Sequence, residues 1–289
     1  MTSAQPWRST PRAVEDSAVD EREQTLSNWL SRIVVAAVLL PIVLGAVYLG
    51  GWWLFALIAV AVGVSLHEYW LMARALAPLA LAGYIGAALA LVGAQLSGVT
   101  WMLGGALTTI VLAFVLKVIS EARAGATAAI SSTVMGALWI GGGLSFLLLL
   151  RDRPTHGQLA LYTVLLAVWA GDTFAYLGGR LIGRHKMAPS TSPGKTWEGF
   201  VFGTAATVFV AFVALYKQDF LSIPQSIVLG VVVAVAGPLG DLFESLLKRD
   251  AGVKDSGTVL GGHGGMLDRL DAFLFAAPAA YFTILAFVT

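Results

Sequence analysis

The sequence predicts an all-α integral membrane protein, a bundle of about nine transmembrane helices. Three observations predict it. Of 289 residues, 57% are hydrophobic and only 12% are charged, far from the balance of a soluble domain. Apolar runs of about 17–25 residues, the length that spans a bilayer, recur along the chain. Lysine and arginine segregate sharply between alternate connections.

The elements follow in chain order. Residues 1–30 are polar, with Pro6, Pro11 and five acids, and hold too little apolar surface to build a core. They are expected to be a disordered cytoplasmic tail. No short apolar segment with a small-residue cleavage site appears there, so no removable leader is expected. Residues 31–289 read as one polytopic catalytic domain. Its expected spans are 32–49, 51–71, 77–96, 100–119, 128–150, 158–179, 197–216, 226–247 and 269–288. Only Gly50 and Gly51 divide the first two, which marks a tight hairpin. There is no convincing tandem repeat.

With nine spans, the N-terminal segment and the connections near 74, 120, 180–196 and 248–268 share one side. That side carries fifteen of the eighteen lysines and arginines, and the other carries Arg151, Arg153 and Lys217. The positive side faces the cytoplasm. The N-terminus is therefore expected inside the cell and the C-terminus outside. The chain has no cysteine, which excludes a disulfide framework, a thiolate metal site and a cysteine nucleophile. The net charge of +1 says little about partners, and no nucleic-acid partner is expected.

Polar residues inside spans are costly and are functional candidates by default. They gather in the C-terminal half. Asp172 falls within the sixth span, and Asp241 and Glu244 within the eighth. Asp241, Ser245 and Lys248 are spaced i, i+4, i+7 and share a helix face. Asp268 and Asp271 share a face at the start of the ninth span, where acids favour the positive end of the helix dipole. Taken singly, each has a plain structural alternative. Asp271 can be a helix-start acid, and Lys248 and Arg249 can be snorkelling interface anchors. Taken together they place three polar segments on one face: 192–195 (SPGK), the Asp241 helix, and 261–271 (GGHGGMLDRLD).

The residue types point to a chemistry. Carboxylates without cysteine suit a hard cation such as magnesium. Lys195, Lys248, Arg249 and Lys254 suit phosphates. Glycines at 261, 262, 264 and 265 let backbone N–H groups approach an anion. Together these features point to a nucleoside triphosphate or a pyrophosphate. SPGKT is not a P-loop, because that motif needs glycine where Pro189 stands.

SLLKRDAGVKDSGTVLGGHGGMLDRLD, residues 245–271, resembles the signature of the phosphatidate cytidylyltransferases, or CDP-diacylglycerol synthases. The pattern is Ser, Lys-Arg, Lys-Asp, His-Gly-Gly and Asp-Arg-x-Asp at fixed spacing, and every position is filled. SPGKTWEG (192–199) and GDLFES (240–245) look like two further family segments. The resemblance covers about 170–289; the first five spans share only hydrophobic character. One departure is Gly261, where many members carry proline, and it removes no functional group.

The resemblance implies a magnesium-dependent reaction at the cytoplasmic face of the plasma membrane. In it CTP and phosphatidate give CDP-diacylglycerol and pyrophosphate, for phospholipid synthesis. It implies Asp241 and Asp268 as metal ligands, with Asp271 a weaker third. Lys248, Arg249, Lys254 and Lys195 are expected on phosphates. Ser192, Thr196, Ser245, Gly264, Gly265 and Arg269 are expected around the substrate, and Asp255 as a support for Lys254 or Arg269. His263 is expected to donate to departing pyrophosphate, with a backbone-bonded loop histidine as the alternative. A second, monovalent cation and a homodimer are compatible with this reading. Asp172, Glu198 and Glu68 have no clear role, although Glu68 is expected near the site. Two rivals remain: a CTP-dependent lipid or polyprenol kinase, and a transporter. The pattern of the CDP-alcohol phosphotransferases is absent. A transporter would place its acids near the bilayer midplane, not at helix ends.

Overall fold

Lipid offers no water to satisfy backbone N–H and C=O groups, and a helix satisfies them internally. The computed structural model is built almost wholly of helices, and it describes residues 37–121, 124–257, 259 and 264–288. The expected tail lies outside the described residues. In order, the helices are α1 (Ala37–Leu49), α2 (Gly51–Met72), α3 (Ala80–Ser97), α4 (Val99–Ile119), α5 (Ala126–Gly136), α6 (Gly143–Arg151), α7 (Gly157–Ile182), α8 (Trp197–Leu215), α9 (Ile223–Asp250) and α10 (Leu267–Val288). A π-helical turn, Ala137–Gly142, joins α5 to α6 as one span. Among the described residues, eight segments are long and apolar enough to cross a membrane. The chain is thus an all-α, multi-pass membrane protein. Helix α1 is shorter, and its expected start at residue 32 lies outside the described residues.

Local sequence explains where the helices turn. Gly50 and Gly51 take φ of 65° and 49°, a left-handed path that glycine adopts without strain, and fold α1 back onto α2. Helix α9 begins earlier than its hydrophobic run because Ser222 and Gln225 form a capping box and Pro224 stands in the first turn. It ends where Gly252 turns to φ 71° and the Val253 N–H returns to the Lys248 carbonyl at 2.9 Å.

One element departs from the expected loop at 180–196. Residues Lys186–Ala188 (β1) and Ser192–Thr196 (β2) form an antiparallel hairpin. The Trp197 N–H donates to the His185 carbonyl at 2.9 Å. The Glu198 carboxylate accepts the N–H groups of Arg184 (3.1 Å) and His185 (3.2 Å) and sits 2.6 Å from His185 Nδ1. Hydrophobic periodicity carries no sign of this polar latch.

Helix α6, buried from Gly143 to Leu150, lies against α3, α7 and α10. Around it α3 packs on α4, α7 on α8, α8 on α9, and α9 on α10. Small residues permit close approach. A Cβ at Gly203 on α8 would sit 2.8 Å from the Gly171 carbonyl of α7. The π-helical turn presents Trp139 edge-on to Phe243 of α9, centroids 4.9 Å apart. The end of α2, the hairpin, the end of α9 and the start of α10 meet on one face.

Candidate functional site

Two lysines organise that face. Lys195, near the end of β2, reaches α9, where its Nζ pairs with Asp241 Oδ2 at 2.8 Å and donates to the Pro238 carbonyl at 3.1 Å. Ser245 Oγ donates to the other oxygen of Asp241 at 3.2 Å. Arg249 Nε donates to the Thr191 carbonyl at 3.3 Å, a second tie between hairpin and helix.

Lys248 lies deeper. Its Nζ sits 2.8 Å from Glu244 Oε2 and 2.7 Å from Asp268 Oδ1, bridging α9 to α10. Glu244 is fully buried, and its Oε1 has no hydrogen-bond partner. Asp268 also accepts the N–H groups of Ser256 (3.0 Å) and Gly265 (2.8 Å). Its oxygens are already well supplied with donors by the protein.

Glu68, on α2, is buried as well. It accepts Ser256 Oγ at 3.2 Å and the N–H groups of Met266 (2.9 Å) and Leu267 (2.8 Å). It therefore satisfies donors at the start of α10 that no helical carbonyl can reach. The glycines of this segment make room for that. A Cβ at Gly265 would press on Ser256 and on Glu68 Oε2, at 2.6 Å from the latter. A Cβ at Gly264, where φ is 81°, would meet Asp268 Oδ2 at 2.9 Å. The glycine N–H that was expected to face an external anion is, at Gly265, spent on Asp268.

The other expected site residues fall as follows. Thr196 is buried, and its hydroxyl caps α8 by accepting the Gly199 N–H at 3.1 Å. Ser192 pairs with Ala188 in the hairpin. Lys254, Asp255, Arg249 and Arg269 are exposed around the rim. Asp271 accepts the Ala272 N–H at 2.7 Å and interacts electrostatically with Asp241, Glu244 and Asp172. Asp172 lines a groove between α7, α8 and α9 and also interacts with Asp241 and Lys195. His263, with Gly261 and Gly262, lies outside the described residues.

The donor set fits a hard divalent cation. Five carboxylates (Asp172, Asp241, Glu244, Asp268 and Asp271) face two lysines, and one buried carboxylate oxygen is unpartnered. In a poorly solvated site that excess of negative charge favours a cation. Among the described residues no three acids converge into a ready-made metal cage.

Glu244 and Glu68, which the sequence flags without a role, lie among these contacts. Glu244 stands four residues before Lys248, the spacing of a helical ion pair. Glu68 carried only one signal, an acid inside an otherwise apolar run.

Residues 30–287 match the cytidylyltransferase family. The chain is 44% identical over 147 residues to a phosphatidate cytidylyltransferase of Staphylococcus aureus (strain COL), covering 50% of this chain and 55% of that protein. It is 42% identical over 146 residues to that of Staphylococcus haemolyticus, with the same coverage. It is 42% identical over 130 residues to that of Haemophilus influenzae, covering 43% and 45%. The chain thus spans about half the length of the curated relatives it matches.

Proposed function

The chain belongs to the cytidylyltransferase family, and from that premise we propose that it transfers CMP from CTP to phosphatidate, releasing pyrophosphate. The observation that carries this reading is the linked set Lys195–Asp241 and Glu244–Lys248–Asp268 at one membrane face. There a water-soluble triphosphate can meet a lipid headgroup.

A phosphate oxygen of phosphatidate forms a bond to the α-phosphorus of CTP while the bond to the β-phosphate bridging oxygen breaks. The attacking phosphate is already ionised at neutral pH, so the protein needs no strong general base. Its work is positioning and charge neutralisation. Asp241, with Asp271 and Glu244 behind it, would hold magnesium, which supplies charge neutralisation and orientation of the triphosphate when bound. Asp268 orients Lys248 and holds the N–H groups of Ser256 and Gly265. Lys195, Arg249 and Lys254 receive phosphates at the rim, and His263 donates toward the departing pyrophosphate. The positive face, and with it the N-terminus and the site, is assigned to the cytoplasmic side of the plasma membrane.

The test is to incubate purified protein with phosphatidate and magnesium, adding labelled CTP or ATP in turn. CDP-diacylglycerol formed from CTP alone, with pyrophosphate released, is the expected result. Release of CDP with a phosphorylated lipid would make the chain a kinase and overturn the reading.

A further inference from the structure

The opposite end of the molecule holds a second polar site. Helix α7 has 26 residues and rises about 39 Å along its axis, so its two ends lie on opposite membrane faces. Its C-terminal end leads into the hairpin. Its N-terminal end opens on a cleft of about 530 Å³, within the range of small-ligand sites.

The polar residues lining this cleft are Arg151, Arg153, His156, Gln158, Tyr162 and Gln218, with no carboxylate among them. Arg153 Nε is buried without a hydrogen-bond partner, and the side chain forms no ion pair with any described residue. Arg151 spends Nε and Nη2 on the carbonyls of Val47 (2.8 Å) and Tyr48 (3.2 Å), which fixes its guanidinium at the cleft wall. The neighbouring Asp152 interacts electrostatically with Arg151 and accepts from Gln95 of α3 at 3.2 Å. The start of α7 has no side-chain cap, so its first-turn N–H groups and its dipole also favour an anion.

Two further facts fix the setting. Among the described residues, Arg151, Arg153 and Lys217 are the lysines and arginines at this end, and two of the three line the cleft. Tyr48, Trp52, Trp53, Trp101 and Tyr216 are exposed at the same end, a belt that marks headgroup depth.

We propose that this cleft binds a phosphate oxyanion, the group that a phosphodiester lipid headgroup presents at this depth in the leaflet opposite the Lys195–Lys248 cluster. The proposal is independent of the catalytic reading.

The experiment compares wild type, Arg153→Gln and Lys195→Gln by thermal unfolding. One arm uses phosphate-free maltoside micelles with or without phosphatidylglycerol, and the other uses inorganic phosphate in the same micelles. The expected result is a rise in midpoint with phosphatidylglycerol that Arg153→Gln loses and Lys195→Gln keeps. The same pattern with inorganic phosphate alone would identify the free ion as the source. No rise in wild type, an equal rise in Arg153→Gln, or loss only in Lys195→Gln overturns the proposal. Should Arg153→Gln not fold, Arg153→Met, which also removes the charge, and native mass spectrometry of retained phosphatidylglycerol decide it. Retention equal to wild type in the presence of competing phosphate, or none in wild type, again overturns it.

Discussion

Asp241 and Asp268 carry the same functional group and are held in different ways. Asp241 meets a lysine and a serine that ligands can displace, whereas Asp268 accepts Lys248 and two backbone N–H groups. Asp241→Asn is expected to lower CDP-diacylglycerol formation about 10²–10³-fold, the usual loss for a key electrostatic group, with little change in unfolding temperature. Raised magnesium should restore part of that rate. Asp268→Asn is expected to lower turnover to a similar degree and to destabilise the fold too, without rescue by magnesium. Magnesium titrations beside thermal unfolding separate the two; indistinguishable behaviour would refute the division of roles. Lys248→Met leaves Glu244 and Asp268 facing each other unpaired, at a cost of about 3–5 kcal/mol. Its unfolding temperature should fall well below that of Lys195→Met, whose pair with Asp241 is more open to water. All of these groups could be named from the sequence except that Glu244 is the deeper partner of Lys248. That assignment needs the rotation of α9 against α10, which spacing alone does not give.

At the scale of elements, the site is three helix ends brought to one place. Lys195 and Arg249 lash the hairpin to α9, Lys248 joins α9 to α10, and Glu68 joins α2 to the start of α10. Glu68→Ala removes an acceptor shared by three donors and leaves them buried, a loss of about 3 kcal/mol or more. Because α10 presents Asp268 in its first turn, the same change should reduce turnover without raising the KM for CTP. Glu68→Gln, which keeps an acceptor, should recover part of both. A rise in KM alone with an unchanged unfolding temperature would contradict this role. The helices themselves were readable as apolar runs of spanning length. The hairpin was not, because its stability comes from Glu198 on two amides and from ties to α9, and neither has a periodic signature.

At the scale of the whole molecule, orientation is the open quantity, and the chain is suited to measuring it because it has no cysteine. Single cysteines at Lys254 and Lys217 lie on opposite faces. In intact cells Lys217→Cys should react with an impermeant maleimide and Lys254→Cys only after the membrane is opened. The reverse pattern would invert the assigned topology and move the site outside. The sequence by itself determined the bundle and which acidic and basic residues gather at one end of it. Hydrophobic length and charge segregation are imposed by the bilayer and stay visible in one dimension. Tertiary structure alone decided that Glu68 supports a helix nearly two hundred residues away, that Asp268 is held by the protein's own donors, and that Arg153 lies unpaired in a cleft at the far face. Those outcomes depend on helix rotation and on which donors remain unsatisfied after packing, and neither is encoded in the spacing of residues along the chain.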